Sequence, residues 1–243
     1  MNLRVLATVL LASVLAIVSV GCNSAPGKPK PGLTEEAIRP DQVADFNTLY
    51  SQNCAACHGE YGRNGAAIAL ANPLYLSFAG PDNLQRIVSN GVPNTMMPGF
   101  AKSAGGMLTD QQINILIHGM VQNWSKPLLL NGQDLPKYAV SLPANTARGQ
   151  EAFGASCASC HGADGTGSSS KWKLGSLVDA AYLSLISDQG LRSIVVAGKQ
   201  EQGMPDYRSH SGHALTDQEI TDIVAWLASH RTATPGQIYQ QHP

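Results

Sequence analysis

Two short stretches carry the residues best suited to chemistry. CAACHG, residues 54–59, sets two cysteines three positions apart with a histidine directly after the second. CASCHG, residues 157–162, repeats the arrangement 103 residues later. Two cysteines at this spacing can form a redox pair, part of a zinc clasp or a covalent attachment point. A closed zinc site wants four protein ligands. Each station offers three, crowded together, and the one further cysteine is Cys22.

The histidine decides among these. Cys-x-x-Cys-His reads as c-type haem attachment. Thioethers from Cys54 and Cys57 would hold the haem vinyl carbons, with His58 under the iron. Cys157, Cys160 and His161 would do the same for a second haem. A further axial ligand should recur as the stations do. Met97-Pro98 and Met204-Pro205 lie 107 residues apart, after the first and second stations respectively. Methionine is soft, and a His/Met pair raises the haem potential. The competing reading is that these methionines fill core space. Met96 stands beside Met97 as a local competitor, and register favours Met97. His118, His210, His213, His230 and His242 are not first choices as ligands.

The elements that must position these residues also come in pairs. Asp41 reads as the cap of a helix carrying Val43, Phe46, Leu49 and Tyr50, which runs into the first station. A loop region follows to Gly80. Leu84, Ile87 and Val88 share a helical face, with Asp82 as cap and Gly91 as stop. A last helix starts at Thr109, which forms a capping box with Gln112 and leads into the stripe Ile113, Leu116, Ile117, Met120. The second half answers with Phe153 at Tyr50's place, then Leu191, Ile194 and Val195. Its last helix has the box Thr216 and Glu219, and the stripe Ile220, Ile223, Val224, Leu227. Residues 126–145 join the halves without clean periodicity. Part of that joint should lie against the domains, because Leu128 to Leu130 and Tyr138 are costly to leave bare. Each half is small for a protein-only core, so a large apolar group at its centre would help it fold.

The matching pieces, CAACHG with TMMPGF and then GQEAFGASCASCHG with GMPDY, resemble class I c-type cytochromes arranged as a tandem di-haem protein. The resemblance implies an all-α fold: two cytochrome c-like domains at 41–125 and 146–231, each with short helices around a covalent haem c. It gives Cys54, Cys57, His58 and Met97 the family's roles in the first domain, and Cys157, Cys160, His161 and Met204 those in the second. Two departures stand out. The family often has glycine in the first helix and an aromatic in the last. Gly149 and Trp226 comply, but the matching residues in the first half are Phe46 and Gly119. A wider helix crossing and looser packing of the first domain are therefore expected.

The first 21 residues read as a secretion signal, with Arg4 ahead of an apolar run from Val5 to Val20. Ser19-Val20-Gly21-Cys22 resembles a bacterial lipoprotein cleavage box, departing from it at Ser19, where leucine is usual. That resemblance implies a lipid on Cys22. Residues 22–40, rich in Pro, Gly and Lys, would be the spacer, and 232–243 a polar tail.

The chain has 243 residues and a formal net charge of −1, which gives no electrostatic case for nucleic acid. Two Met-Pro loops leave no vacant coordination position. The reading is therefore an electron carrier and not an enzyme, held on the periplasmic side of a membrane. Its redox partners would be a quinol-oxidising complex, a terminal oxidase or a photosynthetic reaction centre. The alternative is a di-haem peroxidase-type enzyme with one displaceable axial ligand.

Overall fold

The computed structural model describes residues 38–130, 132–167, 174–209 and 213–233. The signal segment, Cys22, most of the spacer, His210 and nearly all of the tail lie outside the described residues. The chain divides into two units, Met1–Gln42 and Val43–Pro243. In the first, the described part is a short turn at Pro40–Gln42 with an exposed ion pair between Arg39 and Asp41.

The second unit holds both halves of the repeat. Its helices are α1 (Phe46–Asn53), α2 (Ala55–His58), α3 (Pro73–Asn90), α4 (Asp110–Trp124), α5 (Thr146–Ser156), α6 (Ala158–His161), α7 (Ala180–Leu185), α8 (Asp188–Ala197) and α9 (Asp217–Ala228). Among the described residues there is no strand, only the isolated bridges Ala101–Leu108 and Lys199–Met204. The all-α expectation holds. Both expected capping boxes are formed, Thr109 with Gln112 and Thr216 with Glu219, and Gly91 ends α3 at φ +73°.

Two helix starts differ from expectation. Asp45, not Asp41, caps α1, accepting from the Thr48 amide at 2.8 Å. The segment before Gly80 is helical, not a loop: α3 begins at Pro73 under an Asn72 cap and kinks at Gly80-Pro81. The apolar run Leu74, Tyr75, Leu76, Phe78, Ala79 is buried nearly all round. It therefore shows no one-sided stripe by which to recognise a helix.

The first and last helices of each half pack together through one large and one small residue. In the second half Gly149 on α5 lies flat against α9. A Cβ there would overlap the Asp222 carbonyl and come within 2.9 Å of the Trp226 Cβ. In the first half the roles are exchanged. Gly119 on α4 makes room for the Phe46 ring on α1, and a Cβ would stand 2.7 Å or less from three of its carbons. Trp124, five positions beyond Gly119, then stacks edge-on against Tyr50 at 5.1 Å, as Trp226 meets Phe153 at 4.4 Å. The wider crossing and looser packing expected of the first domain agree with this: Phe46 and Trp124 are only half-buried, whereas Phe153 and Trp226 are buried, although Trp124 supplies an aromatic where Gly119 has none.

The joint between the halves is strapped to the second. Arg192 donates to the Lys137 carbonyl and pairs with Asp217. Tyr207 Oη donates to the Asp134 carbonyl at 2.7 Å, and Gln189 to that of Tyr138 at 2.9 Å. Leu129, Leu130 and Tyr138 pack against the core as expected, while Leu128 stays exposed.

Asp222 fastens α5 to α9. Burial alone would raise its carboxyl pKa. Hydrogen bonds from the Arg148 side chain, the Asn145 amide and the Gln218 side chain outweigh this and hold it below the usual carboxylate range. A depressed folded value means the stabilisation is present above the unfolded carboxylate pKa and is lost as pH falls through the folded one. Asp222→Asn should cost about 2 kcal/mol at neutral pH, the range for hydrogen bonds to a charged group, and should flatten the acid limb of a stability-versus-pH curve. An unchanged acid limb would place the pH dependence elsewhere.

Candidate functional site

Each station is one turn of helix reached from a longer one. The Cys54 amide caps α1 by donating to the Tyr50 carbonyl, and its own carbonyl receives the amides of Cys57 and His58 at 3.2 and 3.0 Å. The second station repeats this: the Cys157 carbonyl receives the amides of Cys160 and His161 at 3.1 and 3.0 Å. So the cysteines and histidine of each station share a single turn. Gly59 closes the first at φ +83°, where a side chain would be strained and would strike the Arg63 backbone.

No disulfide joins the station cysteines. Burial, with a smaller contribution from the neighbouring cysteine, pushes Cys54 and Cys157 up to about 12. No three His, Cys, Asp or Glu side chains converge among the described residues as a closed zinc site requires. Covalent attachment of a haem asks for two cysteines and a histidine on one turn, which each station supplies.

His58 is 7% exposed, and its Nδ1 stands 2.7 Å from the Ile68 carbonyl. A carbonyl only accepts, so Nδ1 carries the proton and Nε2 is left with a bare lone pair. Burial lowers the His58 pKa, more than the Ile68 hydrogen bond raises it. A neutral imidazole with its second nitrogen fixed in this way is a prepared iron ligand. Burial also lowers the pKa of His161, whose Nδ1 is buried without a partner among the described residues. Both histidines therefore suit a haem iron. The Ile68 carbonyl was not legible in the sequence, because a backbone acceptor leaves no mark on residue type.

The Met-Pro residues stand on the loop between α3 and α4 in the first half and between α8 and α9 in the second. The Val92 amide donates to the Met97 carbonyl at 3.0 Å, and the Lys199 amide to the Met204 carbonyl at 3.1 Å. The same bond at the same register fixes Met97, not Met96, as the counterpart of Met204. Met97 is half-buried while Met96 is 77% exposed. Met120 is buried and Met107 exposed. The other described histidines are held by local bonds: His118 to the Asn114 carbonyl, His230 to that of Trp226, His213 to Glu219.

Comparison with known proteins agrees with this geometry. Residues 146–231 match the family model described as cytochrome c, and residues 41–118 match that of cytochrome c oxidase, cbb3-type, subunit III. The chain is a tandem di-haem class I c-type cytochrome. Its cofactors are two covalently bound haem c groups.

This cytochrome is 25% identical over 236 residues to the cytochrome bc1 complex cytochrome c subunit of Corynebacterium diphtheriae, covering 88% of this chain and 79% of that one. It is 31% identical over 119 residues to the dihydro-haem d1 dehydrogenase of Pseudomonas aeruginosa, covering 46% of this chain and 23% of that one. It is 31% identical over 133 residues to the cbb3-type cytochrome c oxidase subunit CcoP of Cereibacter sphaeroides, covering 49% of this chain and 39% of that one. The cytochrome thus spans less than half the length of the last two relatives. Among its described residues no helix is long and apolar enough to cross a membrane.

Proposed function

We propose that this cytochrome passes single electrons between membrane-associated redox partners on the periplasmic side, as a relay and not as an enzyme. Haem iron supplies the one-electron chemistry. The chain supplies attachment through Cys54 and Cys57, and through Cys157 and Cys160, and axial ligation by His58 with Met97 and by His161 with Met204. The observation that carries this reading is the repeated register of the two methionine loops. Each half offers its iron one imidazole and one thioether, so neither iron keeps an open position for substrate.

Relatives named for a bc1 complex and for a cbb3 oxidase favour partners of that kind: a quinol-oxidising complex as donor and a terminal oxidase as acceptor. A lipid on Cys22 would hold the relay beside them. One relative is named a dehydrogenase, and it matches this chain over less than a quarter of its own length. The test is reconstitution of the full-length holoprotein with a quinol-oxidising complex and an oxidase in vesicles. Added cytochrome should raise quinol-dependent oxygen uptake, and the holoprotein alone should not turn over peroxide. Peroxide turnover without an effect on oxygen uptake would favour the di-haem peroxidase reading.

A further inference from the structure

A side chain of the first half reaches the base of the second half's methionine loop. Asn72, 6% exposed, stands at the start of α3 in the first half. Its Oδ1 accepts the Leu74 and Tyr75 amides at 2.9 and 3.2 Å, capping α3. Its Nδ2 crosses into the second half, donating to the Ala197 carbonyl at 3.0 Å and lying 3.5 Å from that of Gly198. Two donors meet the oxygen and two acceptors meet the nitrogen, so only one orientation of the amide satisfies all of them.

Ala197 and Gly198 form the turn from which the Met204 loop springs. Gly198 ends α8 at φ +68°, and it lies so close to that loop that a Cβ would stand 2.5 Å from the Pro205 oxygen and 2.7 Å from the Met204 oxygen. The next residue, Lys199, exchanges two backbone hydrogen bonds with Met204, both 3.1 Å. The path from Asn72 to Met204 therefore runs through a buried hydrogen bond, a glycine with no slack and a two-bond bridge. The position matching Asn72 in the second half is Asp179. It caps α7 through the Tyr182 amide at 2.9 Å, is exposed, and as a carboxylate has no N–H to donate.

We propose that Asn72 is a positioning residue for the second haem site: from the first half it braces the turn that presents Met204 to the iron. This rests on Met204 being an axial ligand. Loss of the brace makes it easier for the Met204 loop to swing away, and an external ligand competing for that iron gains affinity in proportion. Asn72→Asp keeps the cap and replaces the donor with an acceptor facing two carbonyls. Asn72→Ser keeps a capping oxygen and is too short to reach Ala197.

The experiment titrates the oxidised full-length holoprotein with imidazole and follows the methyl resonances of the two ligated methionines separately. Both variants should let imidazole displace Met204 at about ten-fold lower concentration, equivalent to about 1.4 kcal/mol, with displacement of Met97 unchanged. No shift at Met204, or equal shifts at both methionines, would overturn the brace. Should neither variant yield holoprotein, amide hydrogen exchange in the unmodified protein decides. The Lys199 and Met204 amides should exchange more slowly than the Val92 amide of the unbraced loop, and equal or faster exchange overturns the proposal. A Met204 methyl signal missing from the unmodified holoprotein would instead refute the ligation reading, and the brace with it.

Discussion

Replacing Gly149 with leucine should unfold the second half of this cytochrome at temperatures where the first half survives. The side chain would enter where α5 touches α9, against the Asp222 backbone carbonyl and the Trp226 Cβ. Backbone has no rotamer by which to retreat, so the helices must separate. Overpacking alone costs about 1–3 kcal/mol, and separation also loosens the Phe153–Trp226 ring contact and the Asp222 bonds to Arg148 and Asn145. The helix-propensity gain from removing a glycine, at most about 1 kcal/mol, does not offset this. A net loss of about 3 kcal/mol lowers the melting temperature of a domain this size by roughly 12 °C or more.

Gly154, on the same helix with nothing within 4 Å of its Cβ position, is the control. Gly154→Leu should leave the melting temperature unchanged or raise it. The first half offers a sharper comparison, because there the obstacle is a side chain. Gly119→Ala should destabilise through the Phe46 ring, and Phe46→Ala should rescue it. No side-chain change should rescue Gly149→Ala. Equal melting curves for the Gly149 and Gly154 variants would mean that α5 and α9 do not cross this closely.

Met204→Leu should keep the fold and change the electronics. Leucine is close to methionine in volume, so packing loss stays below about 1.5 kcal/mol, while the thioether is gone. The second iron should lose its methionine charge-transfer band, accept added imidazole readily, and fall in potential by a substantial part of the ~0.8 V that axial ligands span. Met97→Leu should do the same to the first iron. Met96→Leu, at an exposed side chain beside it, should do neither. Spectroelectrochemistry on the three variants reads all of this together. A Met204→Leu protein with both potentials intact would leave the second iron with another ligand.

Local chemistry accounts for what could be read from the sequence. The stations, the two capping boxes and the Gly91 stop each depend on a few neighbouring residues. The matched pairs Met97 and Met204, Thr109 and Thr216 needed only the repeat. What escaped involves partners far apart in the chain. Phe46 and Gly119 each look like defects when compared singly with Gly149 and Trp226. As a pair across a helix crossing they fit each other with the roles exchanged, though less tightly than Gly149 and Trp226. The helix after Asn72 was missed for a related reason. Its residues are buried nearly all round, and a periodicity argument needs a solvent face. Asn72 itself was visible as a residue before Pro73, but its second hydrogen bond ends on a backbone carbonyl 125 positions later.

The most direct test of the account is the mass of the purified polypeptide under denaturing conditions, read together with its haem-to-protein ratio. Two haem masses retained on one chain, with one lost in a Cys54→Ser/Cys57→Ser variant and the other in a Cys157→Ser/Cys160→Ser variant, is the result predicted here. A denatured chain carrying no haem, or a single haem unaffected by either pair of substitutions, would contradict it.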